Sequence, residues 1–61
     1  MPEFLVSITY GSGWTEHRAA EDARHARKIL AGLKGRYPGR RLAVHRISST
    51  ADVTGEFIKG E

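Results

Sequence analysis

The chain has no cysteine, asparagine or glutamine, and only two prolines, one tryptophan, two tyrosines and two phenylalanines in 61 residues. Without Cys, a disulfide framework and a Cys-based zinc site are both excluded as the staple of so small a fold. No stretch approaches the ~18 apolar residues of a membrane span. The apolar run from Phe4 to Ile8 is too short for the core of a signal peptide and follows no basic segment. These absences lead to the expectation of a soluble cytoplasmic protein with no membrane partner. A domain of this size buries only about 60 % of the surface of its unfolded chain. Residues 1–61 therefore read as one domain, with little room for a catalytic pocket and much to gain from self-association. Internal repeats and low-complexity tracts are also missing.

Arg, Ala and Gly are each present seven times, which points to a GC-rich coding sequence. Ten Lys and Arg face seven Asp and Glu, but the modest net charge of +3 hides a segregation. From Ala23 to Ile47 there are eight basic residues and no acid; all seven acids lie outside that window. Such a division can create a surface that attracts an anionic partner.

Residues 3–10 alternate with period two. Phe4, Val6, Ile8 and Tyr10 fall on one face and Glu3, Leu5, Ser7 and Thr9 on the other, which predicts a half-buried strand. Gly11-Ser12-Gly13 breaks it. A three-residue link with two glycines suits a bulged hairpin, making residues 14–18 a second strand. In that strand Trp14, Glu16 and Arg18 share a face opposite Thr15 and His17. The alternative is a helix that begins at Glu16 with Thr15 as its cap. Asp22 is an equally good cap for a later start, and the glycine link favours an antiparallel return, so the hairpin is preferred.

The helix follows. At 100° per residue Ala19, Ala23, Ala26, Leu30, Leu33 and Tyr37 fall within roughly an 80° arc, with Ile29 at its edge. Acids at Glu21 and Asp22 and bases at Arg27, Lys28 and Lys34 suit the helix dipole. Gly35 is read as the residue just past the C-cap. Gly32 faces solvent on this wheel and is given no role. Tyr37-Pro38-Gly39-Arg40 fits a type II turn. Residues 41–48 read as a further strand, with Leu42 and Val44 towards the helix and Ala43, His45 and Ile47 away from it. Arg46 shares the inward parity, so it must lie past the helix edge or follow a bulge. Residues 49–52 suggest a loop or single turn, and 53–58 a last edge strand. Phe57 and Ile58 are too apolar to stay solvated, so this tail is expected to dock.

The expected fold class is α+β: a single small β(β)αβ domain with one amphipathic helix on one face of a small sheet, and a C-terminal edge strand as an addition. The other sheet face would carry Leu5, Ser7, Thr9, Ala43, His45 and Ile47, with no second helix to cover it. A homodimer, sheet against sheet or edge against edge, is the simple way to bury it, with Leu5, Ser7, Ala43, His45 and Ile47 as candidate contacts. Scattered exposed apolar residues on a monomer explain the same pattern.

The basic window supplies the candidate partner surface. Arg24, Arg27, Lys28 and Lys34 occupy one flank and the solvent face of the helix, while Arg36, Arg40 and Arg41 cluster at its C-terminal turn. A protein partner or a phosphate backbone suits this surface; an ordinary solvated helix face accounts for the same charges. Tyr37 is the only ring within it, so stacking on single strands is poorly supported, and a single helix cannot make a helix-turn-helix. Trp14, beside the glycine turn, is a candidate hot spot, with a core lid or dimer contact as the structural alternatives.

Catalysis and cofactors find little footing. His17, Glu21 and His25 would line one helix face if it began at Glu16, but residues eight apart lie about 12 Å apart along the axis and cannot share an ion. Glu21 and His25 alone are too few for a zinc site and read as an exposed i,i+4 pair. His45 with Ser48 or Ser49 and Asp52 lacks the strained elbow and oxyanion hole that a triad needs. Gly11-Ser12-Gly13 lacks the Gly-Lys-Ser/Thr of a P-loop, and Glu16 stands where a dinucleotide fingerprint needs its third Gly. The expectation is no enzyme activity, no catalytic or metal-binding residue, no cofactor and no small-molecule substrate.

The order of strand, Gly turn, Trp14-Thr15-Glu16-His17-Arg18, Ala/Arg-rich helix, Gly and Arg/Val strand, over residues 4–47, resembles small orphan accessory proteins of phages of high-GC, actinobacterial hosts. That resemblance implies a protein that contacts host or phage macromolecules in the host cytoplasm. It transfers no functional residue. The sequence thus points to a non-enzymatic binding protein acting through protein–protein contacts, with nucleic-acid binding by the basic surface of residues 24–46 as the alternative.

Overall fold

The period-two segment forms strand β1, Phe4–Thr9, and the chain after the glycine link returns beside it as β2, Thr15–Ala20. These assignments, like those below, come from a computed structural model that describes residues 1–58. Tyr10 and Trp14 flank a three-residue loop: Tyr10 N–H donates to Trp14 O at 2.8 Å and Gly13 N–H to Tyr10 O at 2.9 Å. Gly13 has φ +93°, a left-handed conformation that a side chain would resist. The hairpin reading therefore holds, and β2 extends two residues beyond Arg18. Ala19 consequently belongs to this strand and is exposed, not part of the helix's apolar arc.

Helix α1, Ala23–Arg36, starts where Asp22 caps it, its Oδ1 accepting the His25 N–H at 2.8 Å. Ala26, Leu30 and Leu33 turn inward, as the wheel predicts. Gly35 does not end the helix. α1 runs on to Arg36, and the C-cap is Tyr37, whose N–H bonds Leu33 O. The Tyr37 ring packs edge-on against Tyr10 at 5.3 Å, which rewards one more turn before Pro38 stops the helix. Gly39 at φ +82° completes the turn into β3, Arg41–Arg46.

The sheet is antiparallel with order β2-β1-β3. β2 and β3 run parallel with β1 between them, so α1 is the crossover of a split β-α-β unit. α1 packs over β1 and β2. Beneath it lie Phe4, Val6, Ile8, Ala20 and Val44, all at most 4 % exposed. Each large apolar side chain buried here contributes about 1.5–3 kcal/mol. Among the described residues no helix is long and apolar enough to cross a membrane.

The tail corrects the expected edge strand. Residues 54–57 form a single helical turn, α2 (Thr54–Phe57), and only His45 and Asp52 make a strand-like bridge. Side chains replace the ladder. Thr54 Oγ1 accepts the outward Val44 N–H at 3.0 Å and donates to Asp52, while Val53 N–H reaches Val44 O at 2.9 Å. Thr54 N–H also donates to Asp52 Oδ1, winding the backbone into a turn. Docking of the tail is as expected: Val53 is buried and the Phe57 ring meets Phe4 edge-on at 5.2 Å. Arg46 pairs with Phe4 in continuous register, without a bulge. Its guanidinium lies 5.1 Å from the Phe4 ring centroid and bonds Glu3 at 3.3 Å, which accommodates a charge on the inward parity.

The Thr54 hydroxyl first, and the Thr54 N–H second, hold the Asp52 carboxyl below its usual value. A carboxyl depressed on folding stabilises the native state above its unfolded pKa, and that contribution is lost as pH falls through the folded value. Asp52→Asn should therefore lower the melting temperature at pH 7, and the gap to wild type should close as pH falls from 7 to below the ordinary carboxyl value of 3.8. Thermal melts across that range measure it; a gap independent of pH would contradict the assignment.

Candidate functional site

The sequence separates the acids from the basic window, and the structure gives most of those acids other work. Glu3 pairs with Arg46, Glu16 with Arg18, and Glu21 with the amino terminus at 3.6 Å. Asp22 caps α1 and Asp52 bonds Thr54. Arg24, Arg27, Lys28, Lys34, Arg36, Arg40 and Arg41 are all exposed, and among the described residues none of them forms an ion pair. Arg27 is partly committed, since its guanidinium lies 5.5 Å from the Phe57 ring centroid.

The seven cations fall into two groups. Arg24, Arg27, Lys28 and Lys34 lie along α1, whose inward face is taken by Ala26, Leu30 and Leu33. Arg36, Arg40 and Arg41 gather where α1 ends and β3 begins, as the sequence places them. The β1–β2 loop comes to that same end of the molecule. A Cβ built on Gly11 would sit 2.9 Å from Arg40 Nη1, so the guanidinium lies against the hairpin turn. Arg41 is the register partner of Thr9, which is also the partner of Thr15.

Trp14 stands at this end, 64 % exposed. Its strand partner Tyr10 is fixed from both sides, by the Tyr37 ring and by a 3.0 Å hydrogen bond from its hydroxyl to Glu16 Oε1. Partial burial first, and the Glu16 carboxylate second, push the Tyr10 phenol above its usual pKa. This tyrosine pair, and not Trp14, lies against the core. The indole is left exposed, next to the hairpin turn that Arg40 meets. The Tyr10–Tyr37 pair has no local sequence signal, because the two rings lie on different elements.

The sheet face away from α1 is uncovered. Leu5 lies opposite His45 and Ser7 opposite Ala43, so four of the candidate sheet-face residues meet on it. Ile47 continues the row past the end of β3, 42 % exposed. Ser7 is nearly buried among its neighbours and its Oγ lies 2.8 Å from His17 Nδ1. Small and polar side chains dominate this face.

The histidines and the glycine loop have structural roles. His25 Nδ1 accepts the Glu21 backbone N–H at 3.0 Å, so the pair is a helix-start bond and not the side-chain i,i+4 contact expected. The reason is the later helix start, which leaves Glu21 outside α1. His17 lies on β2, away from both. No three His, Asp or Glu side chains among the described residues converge as metal ligands would. The Asp52 carboxylate is bonded to Thr54, and Gly11-Ser12-Gly13 joins two strands without leading into a helix N-terminus. No protein-family model, curated protein or solved structure matches the chain.

Proposed function

We propose that the chain is a small non-enzymatic binding protein that engages an acidic surface of a protein partner. Trp14 is the anchor, and Arg36, Arg40 and Arg41 are the charged contacts around it. The reading includes a phage-type accessory role in a host cytoplasm, with a host or phage protein as the target. The observation that carries it is an exposed indole next to a hairpin turn against which Arg40 lies, with Arg36, Arg40 and Arg41 having no counter-charge among the described residues. Trp and Arg are the side chains most enriched at binding hot spots, and an exposed Trp with no packing duty supports that use. A photo-crosslinking amino acid placed at Ser12, exposed in the hairpin turn next to Trp14, should give a discrete protein adduct in cells. The adduct should vanish when Arg40 and Arg41 are both changed to Glu. No adduct, or one indifferent to the charge reversal, would overturn the reading.

Arg24 and Lys28, one helical turn apart on α1 and exposed, support a second reading, nucleic-acid binding by phosphate contact. It predicts a gel shift at 50 mM salt that fades strongly by 200 mM, as counterion release requires. Arg24→Glu with Lys28→Glu should abolish the shift. If mobility never changes at low salt, this second reading fails.

A further inference from the structure

Beyond that reading, we infer that the free edge of β2 is a self-pairing interface that joins two copies of this chain into one continuous sheet. The two sheet edges differ. β3's outward groups at Val44 and Arg46 are occupied by the tail, through Ala51 O, Val53 N–H and the Thr54 hydroxyl. β2 is the other edge strand, and no described element covers it. It has no Pro, no Lys and no bulge, and its two charged residues, Glu16 and Arg18, are of opposite sign. The Tyr10 N–H to Trp14 O bond sets the alternation: Glu16 and Arg18 direct their main-chain groups at β1, and Thr15, His17 and Ala19 direct theirs outward.

The charge pattern of β2 selects one partner and one register. An antiparallel twin strand with its two-fold axis at His17 sets His17 on its own copy and Thr15 opposite Ala19 of the twin. All three outward residues then form hydrogen-bonded pairs, each exchanging two N–H···O bonds. Glu16 falls directly opposite Arg18 of the twin, and Arg18 opposite Glu16, in the closer non-hydrogen-bonded pairs where opposite charges stabilise. Moving the axis one residue either way sets Glu16 on Glu16 or Arg18 on Arg18, which is unfavourable. Both His17 imidazoles meet on the open sheet face, each with Nδ1 against Ser7 of its own chain.

The helix layer fits the same axis. A two-fold perpendicular to the sheet keeps both copies of α1 on one face. With strands about 4.8 Å apart and α1 lying over β1 and β2, the two helices come to about 10 Å, a normal packing distance. The side of α1 facing the β2 edge is a groove lined by Arg18, Ile29, Gly32 and Gly35. Both glycines have open space where a Cβ would be, which permits that approach. Such a dimer also sets the basic outer faces of both helices on one surface.

Sedimentation equilibrium of the full chain at 10–100 µM, about the range where small dimers populate, should give twice the 6.8 kDa chain mass. Glu16→Arg and Arg18→Glu should each raise the dimer dissociation constant at least 10-fold. Mixing the two single variants, or combining both changes in one chain, should restore pairing. That rescue separates the interface from any loss of fold. His17→Pro removes an outward N–H from an edge position where Pro is tolerated, and should leave a folded monomer by circular dichroism. A wild-type monomer at 100 µM would overturn the inference. So would a dimer that survives both charge reversals but is lost on Leu5→Asp, which would place the contact on the open sheet face.

Discussion

Phe4→Ala is expected to leave the chain largely unfolded at 25 °C. The Phe4 ring is 4 % exposed, meets Phe57 edge-on, and lies beneath the Arg46 guanidinium. It thus ties β1, the tail and the end of β3 together in one contact set. Truncating a buried Phe to Ala costs about 3–5 kcal/mol. A domain of 61 residues has only about 3–9 kcal/mol in total, at roughly 0.05–0.15 kcal/mol per residue. One substitution therefore removes from about a third to all of the margin. Far-UV circular dichroism and urea titration measure it, with Phe4→Leu as the variant that keeps most of the apolar volume. A cooperative Phe4→Ala transition with a midpoint near that of wild type would show that the Phe4–Phe57 contact is not central to the fold.

Trp14→Ala is expected to do the reverse, weakening partner binding by about 30-fold or more, as a hot-spot truncation of at least about 2 kcal/mol would. Stability should barely change. The indole is mostly solvated, and Tyr10, Tyr37 and Glu16 hold one another without it. A melting temperature within a few degrees of wild type, with binding to the cross-linked partner lost, separates recognition from folding. Equal loss of both would return Trp14 to the role of a core lid. Arg36→Ala and Arg41→Ala should give smaller losses that shrink as salt rises, because exposed charges are screened.

Much of the fold is legible in the local pattern, and the reasons are local. The alternation of Phe4, Val6 and Ile8 against Leu5, Ser7 and Thr9 makes a strand with two distinct faces. Gly13 supplies the positive φ of the hairpin. Asp22 caps the helix through its own side chain three residues upstream of the bonded N–H. Each depends on residues within one turn or one loop of each other, where propensity and pattern act directly. The helix end shows the limit of such reading. Gly35 has the chemistry of a terminator, but Tyr37 has a partner in Tyr10, just past the end of β1, whose contact keeps the helix going.

The basic window, likewise, is a property of composition, but its lack of counter-charge is a property of packing. Seven acids are available; Glu3 pairs with Arg46, the one base of the window with an ion-pair partner among the described residues, and Glu16, Glu21, Asp22 and Asp52 are held by other groups. Arg40 against Gly11 is of the same kind. These residues are 29 positions apart in the chain and approach because the hairpin turn and the helix-to-strand turn fall at one end of a split β-α-β unit.

By itself, the sequence determined the elements from β1 to β3, the faces of each strand and the charge of the helix. These follow from periods of two and 3.6 and from turn and cap chemistry. Tertiary structure alone decided that β3 lies on the far side of β1 from β2, that the tail closes β3's edge with a Thr hydroxyl and one turn of helix, and that β2 is left open. Strand order is a competition among long-range pairings, and a strand's own alternation is satisfied equally well on either side of its neighbour. That choice, which no local window contains, is what turns Thr15–Ala20 from half of a hairpin into a surface for a second copy.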